Sequence, residues 1–137
     1  MDRLIKDIYD DIVEIKGDSL APLELWYNKL INKKIDDISI GDISRMLRQK
    51  VFLSLALSKA MDMLIKDPMD GELYDGELLK QVVNALKNNS IAIDDLQAET
   101  FIKTAHEAIK IFDWEEEEYK IEYESLLKEF ISIINKK

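Results

Sequence analysis

The residues 40–66, IGDISRMLRQKVFLSLALSKAMDMLIK, constrain this chain more than any other stretch. Apolar side chains fall at Ile43, Met46, Leu47, Val51 and Leu55, a helical rather than an alternating period. From Val51 to Leu57 only Ser54 is polar, so the segment is apolar almost all round and expects neighbours on several sides. Ser39 stands where a hydroxyl caps a helix, and Asp42 three residues on completes a capping box at the positive end of the helix dipole. Pro68 sets the far limit, because the residue before a proline avoids the helical region. One long central helix over residues 40–66 is therefore predicted, with the remaining helices wrapped around it.

With four glycines and two prolines in 137 residues, few tight turns are available and a many-stranded β fold is disfavoured. Residues 1–16 place Leu4, Ile8, Ile12 and Ile15 on one helical face, with Val13 at its edge and Gly17 as a stop. Pro22 suits the first turn of a second helix that turns Leu23, Trp26, Tyr27, Leu30 and Ile31 inward. Asp75 is a candidate cap for a helix carrying Leu78, Leu79, Val82, Val83 and Leu86. Asp94 or Asp95 opens another through Phe101, Ala105 and Ile109. A last helix runs from Trp114 to about Asn135 through Tyr119, Tyr123, Leu126, Leu127, Phe130, Ile131 and Ile134. No polar linker exceeds about seven residues, so the expectation is an all-α fold of about six helices in a single domain, residues 1–137.

Composition narrows the chemistry. Cysteine is absent, which removes disulfides and thiolate metal sites. The N-terminus mixes charges every few residues, unlike a secretion signal, and no apolar stretch approaches the roughly 18 residues of a membrane span. A cytoplasmic protein with no membrane partner is expected. The 28 acidic against 19 basic side chains leave a formal charge of −9, which repels nucleic acid and favours a basic protein partner, or merely keeps a small protein dissolved.

Catalytic patterns are missing. His106 is the lone histidine, and Lys103 and Lys110 stand where helical metal motifs need a glutamate or a second histidine. No catalytic residue, metal or cofactor is nominated, and an enzyme ranks last. Two acidic groups remain. The run Glu115, Glu116, Glu117 and Glu118 suits the start of a helix, and equally a docking site for a basic partner; no calcium loop accompanies it. Asp67, Asp70, Glu72, Asp75 and Glu77 crowd around Tyr74, which reads either as capping and turn formation or as a surface for lysines and arginines. Arg45 and Arg48 share a helix face and could pair with these loop acids.

Three blocks carry a resemblance: Leu20-Ala21-Pro22-Leu23-Glu24-Leu25-Trp26-Tyr27, then Ile40-Gly41-Asp42-Ile43-Ser44-Arg45-Met46-Leu47-Arg48-Gln49, then Gly71-Glu72-Leu73-Tyr74-Asp75-Gly76-Glu77-Leu78-Leu79. They are similar to signature blocks of immunity proteins from contact-dependent growth inhibition and related polymorphic-toxin systems. The resemblance implies a cytoplasmic protein that binds the C-terminal domain of a cognate toxin and silences it. Such toxins are often nucleases with basic surfaces, which an acidic partner would complement. Acids without an evident structural job are the candidate contacts: Asp70, Glu72, Glu115, Glu116, Glu117 and Glu118, with Tyr74 and Trp114 as aromatic anchors. The competing expectation is a structural or adaptor protein acting through homo-oligomerisation.

Overall fold

The computed structural model describes residues 3–9 and 11–136. Six α-helices are found among them: α1 (Pro22–Ile31), α2 (Ile40–Gln49), α3 (Leu53–Lys66), α4 (Glu77–Asn88), α5 (Asp95–Ile111) and α6 (Glu117–Asn135). No strand forms among the described residues; one isolated antiparallel bridge joins Leu4 and Lys34. The fold is all-α, as the periodicity of the sequence requires. Contacts within the chain separate two compact units, Met1–Asp42 and Ile43–Lys137.

The first unit departs from expectation. Residues 1, 2 and 10 of the helix expected over residues 1–16 lie outside the described residues, and the others form a single 3-10 turn at Ile5–Asp7 followed by irregular backbone. The reason is tertiary. Asn28 on α1 donates its amide to the Ile15 carbonyl and accepts from the Ile15 N–H, both at 2.8 Å, so one side chain holds this backbone in place of helix bonds. Ile5 N–H donates to the Lys33 carbonyl and Ile35 N–H to the Arg3 carbonyl. Ile5 is accordingly the fully buried residue of the segment, while Val13 is 78% exposed. On α1, Leu30 and Ile31 are buried and Trp26 and Tyr27 half-buried, whereas Leu23 faces solvent.

The capping box at the start of α2 forms as predicted. Asp42 N–H donates to Ser39 Oγ at 3.1 Å, and the Asp42 carboxylate accepts from the Ser39 N–H at 3.2 Å. The same carboxylate also accepts from Trp26 Nε1 and from Lys33 Nζ. Burial alone would raise its pKa. The hydrogen bonds from Lys33, Trp26 and Ser39 outweigh that and hold it below the usual carboxylate value.

The long helix expected over residues 40–66 is two helices. Val51 N–H donates to the Met46 carbonyl, the 6→1 bond of a Schellman stop, with Lys50 in the left-handed conformation (φ 58°) and Phe52 following at φ 46°. A continuous helix of that length would run about 40 Å, beyond the roughly 30 Å a small domain spans. Breaking it lets α3 set Ala56, Leu57, Ala60, Met61 and Leu64 into the core against α4 and α5. Neither Lys50 nor Phe52 signals the break, since glycine is the usual left-handed residue.

The core of the second unit is closed by Phe101 on α5 and Phe130 on α6, whose rings meet edge to face at 5.2 Å. Asp94 caps α5 by accepting from the Gln97 N–H. α4 begins one residue later than the proposed Asp75 cap allows: its N-cap is Gly76, left-handed at φ 86°. Gly76 N–H donates to the Met69 carbonyl and Leu78 N–H to the Asp70 carbonyl, so the chain from Met69 to Leu78 is a hydrogen-bonded loop.

Candidate functional site

The repeated Gly-Glu-Leu of this loop is explained by two backbone demands rather than by a repeat architecture. A Cβ on Gly71 would collide with the Tyr74 carbonyl oxygen and stand 2.8 Å from Glu77 Cβ, while Gly76 needs its positive φ. Glu77, 6% exposed, then turns its carboxylate back into the loop. One oxygen, Oε1, accepts from the Glu72 and Leu73 N–H groups at 2.9 Å each. The effect is to hold Leu73 and Tyr74 outward, 78% and 50% exposed.

Opposite this loop in the same unit lies the connector between α5 and α6. Trp114 is pinned there: its Nε1 donates to the Ile109 carbonyl at 3.2 Å, and its ring meets Phe112 at 4.6 Å and Tyr123 at 5.9 Å. Tyr123 on α6 donates its hydroxyl to the Pro68 carbonyl at 2.6 Å, tying α6 to the start of the loop. Burial, with the charge of Asp67 added, raises the Tyr123 phenol far above its ordinary range.

Between loop and connector runs a groove of about 670 Å³. Tyr74, Phe112, Trp114, Tyr119 and Tyr123 give it aromatic walls. Asp75, Asp113, Glu115 and Glu122 line it with carboxylates, against one cation, Lys80. Three of the eight candidate contact residues, Tyr74, Trp114 and Glu115, therefore meet in one place although some 40 positions separate them.

The others do not line this groove. Asp70 is half-buried and accepts from the Gly71 N–H at 2.9 Å, so it has a structural job that the sequence did not show. Its burial and the charge of Asp67, opposed by that amide, raise its pKa. Glu72 is exposed and gives its N–H to Glu77. Glu116, Glu117 and Glu118 are exposed at the start of α6, Glu116 as N-cap and the other two in the first turn. A hydrogen bond with Glu118, some loss of hydration and the charge of Glu115 hold the Glu116 carboxyl above its ordinary value.

Three of the five loop acids are spent on backbone amides: Asp67 on Met69, Asp70 on Gly71 and Glu77 on Glu72 and Leu73. The sequence does not nominate Phe112, Asp113, Tyr119, Glu122 or Tyr123 for the groove they line. The density of aromatics between 112 and 123 was the available signal, but helical periodicity absorbed Tyr119 and Tyr123 into the core stripe. His106 is exposed on α5. Among the described residues no three His, Asp or Glu side chains converge where a metal ion would sit, and no helix is long and apolar enough to cross a membrane.

In this protein aromatic faces, surplus carboxylates and hydrogen-bond acceptors meet in one groove. Its sequence matches the family model of CDI immunity proteins over residues 7–100, and the chain belongs to that family, whose members neutralise a cognate toxin by binding and do no chemistry themselves. No curated protein matches it. The matched segment contains the loop and Tyr74, and ends before Trp114 and the glutamate run.

Proposed function

We propose that this protein works in the cytoplasm and silences a basic toxin domain, one that attacks nucleic acid, by covering its cationic surface with the acidic and aromatic side of the second unit. The contact residues in this reading are Asp70, Glu72, Tyr74, Trp114 and Glu115 to Glu118. What carries it is the meeting of Tyr74, Trp114 and Glu115 in one carboxylate-lined groove on a chain of net charge −9. Aromatic anchors desolvate the centre of an interface, and the surrounding charge speeds docking and selects a partner of opposite sign.

The exposed run beside the groove adds to this. A hydrogen bond with Glu118, some loss of hydration and the charge of Glu115 already hold the Glu116 carboxyl above its ordinary value. A cationic partner offsets the negative charge of this run, so binding should weaken with salt.

The test is co-expression with the toxin domain encoded immediately upstream. Wild-type protein should restore growth and bind with nanomolar or tighter affinity, and Tyr74→Ala combined with Glu115→Gln, Glu116→Gln, Glu117→Gln and Glu118→Gln should lose protection. Full protection by that variant, at unchanged affinity and salt dependence, would remove this surface from the mechanism. Light scattering on the mixture separates toxin binding from the competing homo-oligomer, which would show a concentration-dependent mass without any toxin.

A further inference from the structure

We propose that the groove between the 69–78 loop and the α5–α6 connector is a receptor for a single arginine side chain presented by the toxin, a deepening that rests on the immunity reading above. The sign of the charge comes first. Asp75, Asp113, Glu115 and Glu122 face one ammonium, Lys80, so an anionic occupant would meet a surplus of like charge. A cation gains where a phosphate or carboxylate loses.

Hydrogen-bonding capacity narrows the choice further. The indole N–H of Trp114 is spent on the Ile109 carbonyl, and the Tyr123 hydroxyl on the Pro68 carbonyl. The inner aromatic groups thus have no proton left to donate into the groove, while the carboxylates only accept. Apart from Lys80 and the hydroxyls of the half-exposed Tyr74 and Tyr119, acceptors dominate the lining, which calls for a ligand rich in donors. A guanidinium brings five N–H groups and no acceptor.

Shape separates arginine from lysine. Tyr74 and Tyr119 keep about half of their surface exposed, and the Trp114 ring is held in place by Phe112 and Tyr123. A planar, weakly hydrated guanidinium stacks on such faces and still forks towards a carboxylate. An ammonium keeps its water and has no plane to stack. The Glu77 carboxylate preorganises the site by fixing the loop that carries Tyr74, so little ordering remains to be done on binding.

The test titrates the full chain with N-acetyl-arginine amide and, separately, with N-acetyl-lysine amide, at low salt, following the Trp114 indole N–H and the backbone amides by NMR. Saturable shifts centred on the groove are expected, with arginine binding about three- to tenfold more tightly than lysine. Asp113→Asn and Glu122→Gln, both at exposed positions that leave the core untouched, should weaken the arginine derivative by a similar factor and reduce protection against the toxin. Absence of saturation, equal response to lysine, or loss of arginine binding with protection unchanged would each overturn the proposal. If the wild-type chain fails to protect against its neighbouring toxin, the immunity reading falls, while the two titrations still report on what the groove recognises.

Discussion

Glu77 offers the sharpest test of how the site is built, because one oxygen of a nearly buried carboxylate holds two amides of the Tyr74 loop. Glu77→Ala removes both acceptors. Hydrogen bonds to a charged group contribute roughly 1.5–3 kcal/mol each. Since Glu72 and Leu73 are exposed, their freed N–H groups can turn to water, and about half of that is lost in practice. Glu77 is also the first residue of α4, where a negative charge adds about 0.3–1 kcal/mol through the helix dipole. The sum is a destabilisation of about 2–4 kcal/mol for Glu77→Ala. Glu77→Gln is different. Both bonds go to Oε1, which an amide oxygen can replace, so only charge assistance and the dipole contribution vanish, about 1 kcal/mol. Urea denaturation followed by circular dichroism measures the two losses, and the Leu73 amide resonance reports whether its bond survives. A glutamine variant as costly as the alanine variant, or an alanine variant within 0.5 kcal/mol of wild type, would refute the assignment of this carboxylate as the holder of the loop.

Other perturbations follow from the same geometry. Gly71→Ala places a methyl against the Tyr74 carbonyl, so the loop must open; a loss above about 2 kcal/mol is expected, with Tyr74 resonances broadened or shifted. Phe130→Ala removes the edge-to-face partner of Phe101 and should cost about 3–5 kcal/mol in urea denaturation. The folded-state pKa of Asp42 is depressed, so the stability it contributes is complete above the ordinary carboxylate value and disappears as pH falls through the lower folded value. The stability gap between wild type and Asp42→Ala, about 2 kcal/mol at neutral pH, should therefore close in acid; a gap that widened on acidification would contradict the hydrogen-bond assignment. Glu118→Gln should lower the Glu116 pKa towards its ordinary value, as read from side-chain carboxyl titration by NMR.

Local chemistry reached most of the helices from the amino-acid sequence alone. Ser39 with Asp42 and Asp94 with Gln97 are caps whose partners lie three residues away, so their geometry is contained in the chain. The stripes of α4, α5 and α6 repeat over three turns or more, and only a helix buries such a pattern. Family membership was legible for a similar reason: its blocks are contiguous stretches.

Three features were decided by contacts between distant residues. Residues 1–16 carry a helical pattern, yet Asn28 takes over the backbone of Ile15 and residues 11–16 stay irregular. The central helix breaks at Lys50 and Phe52, where the backbone turns left-handed on residues with no preference for it. Glu77 reads in the sequence either as a turn former or as a surface acid, and only the folded loop reveals that its charge faces inward. The groove is the clearest instance. Tyr74 and Trp114 each read as an isolated aromatic beside acids, and what joins them is the Tyr123 hydroxyl bound to Pro68 across 55 positions of chain. Helical period and capping are short-range and therefore written in neighbouring residues; a recognition surface is assembled by burial elsewhere, which neighbouring residues do not encode.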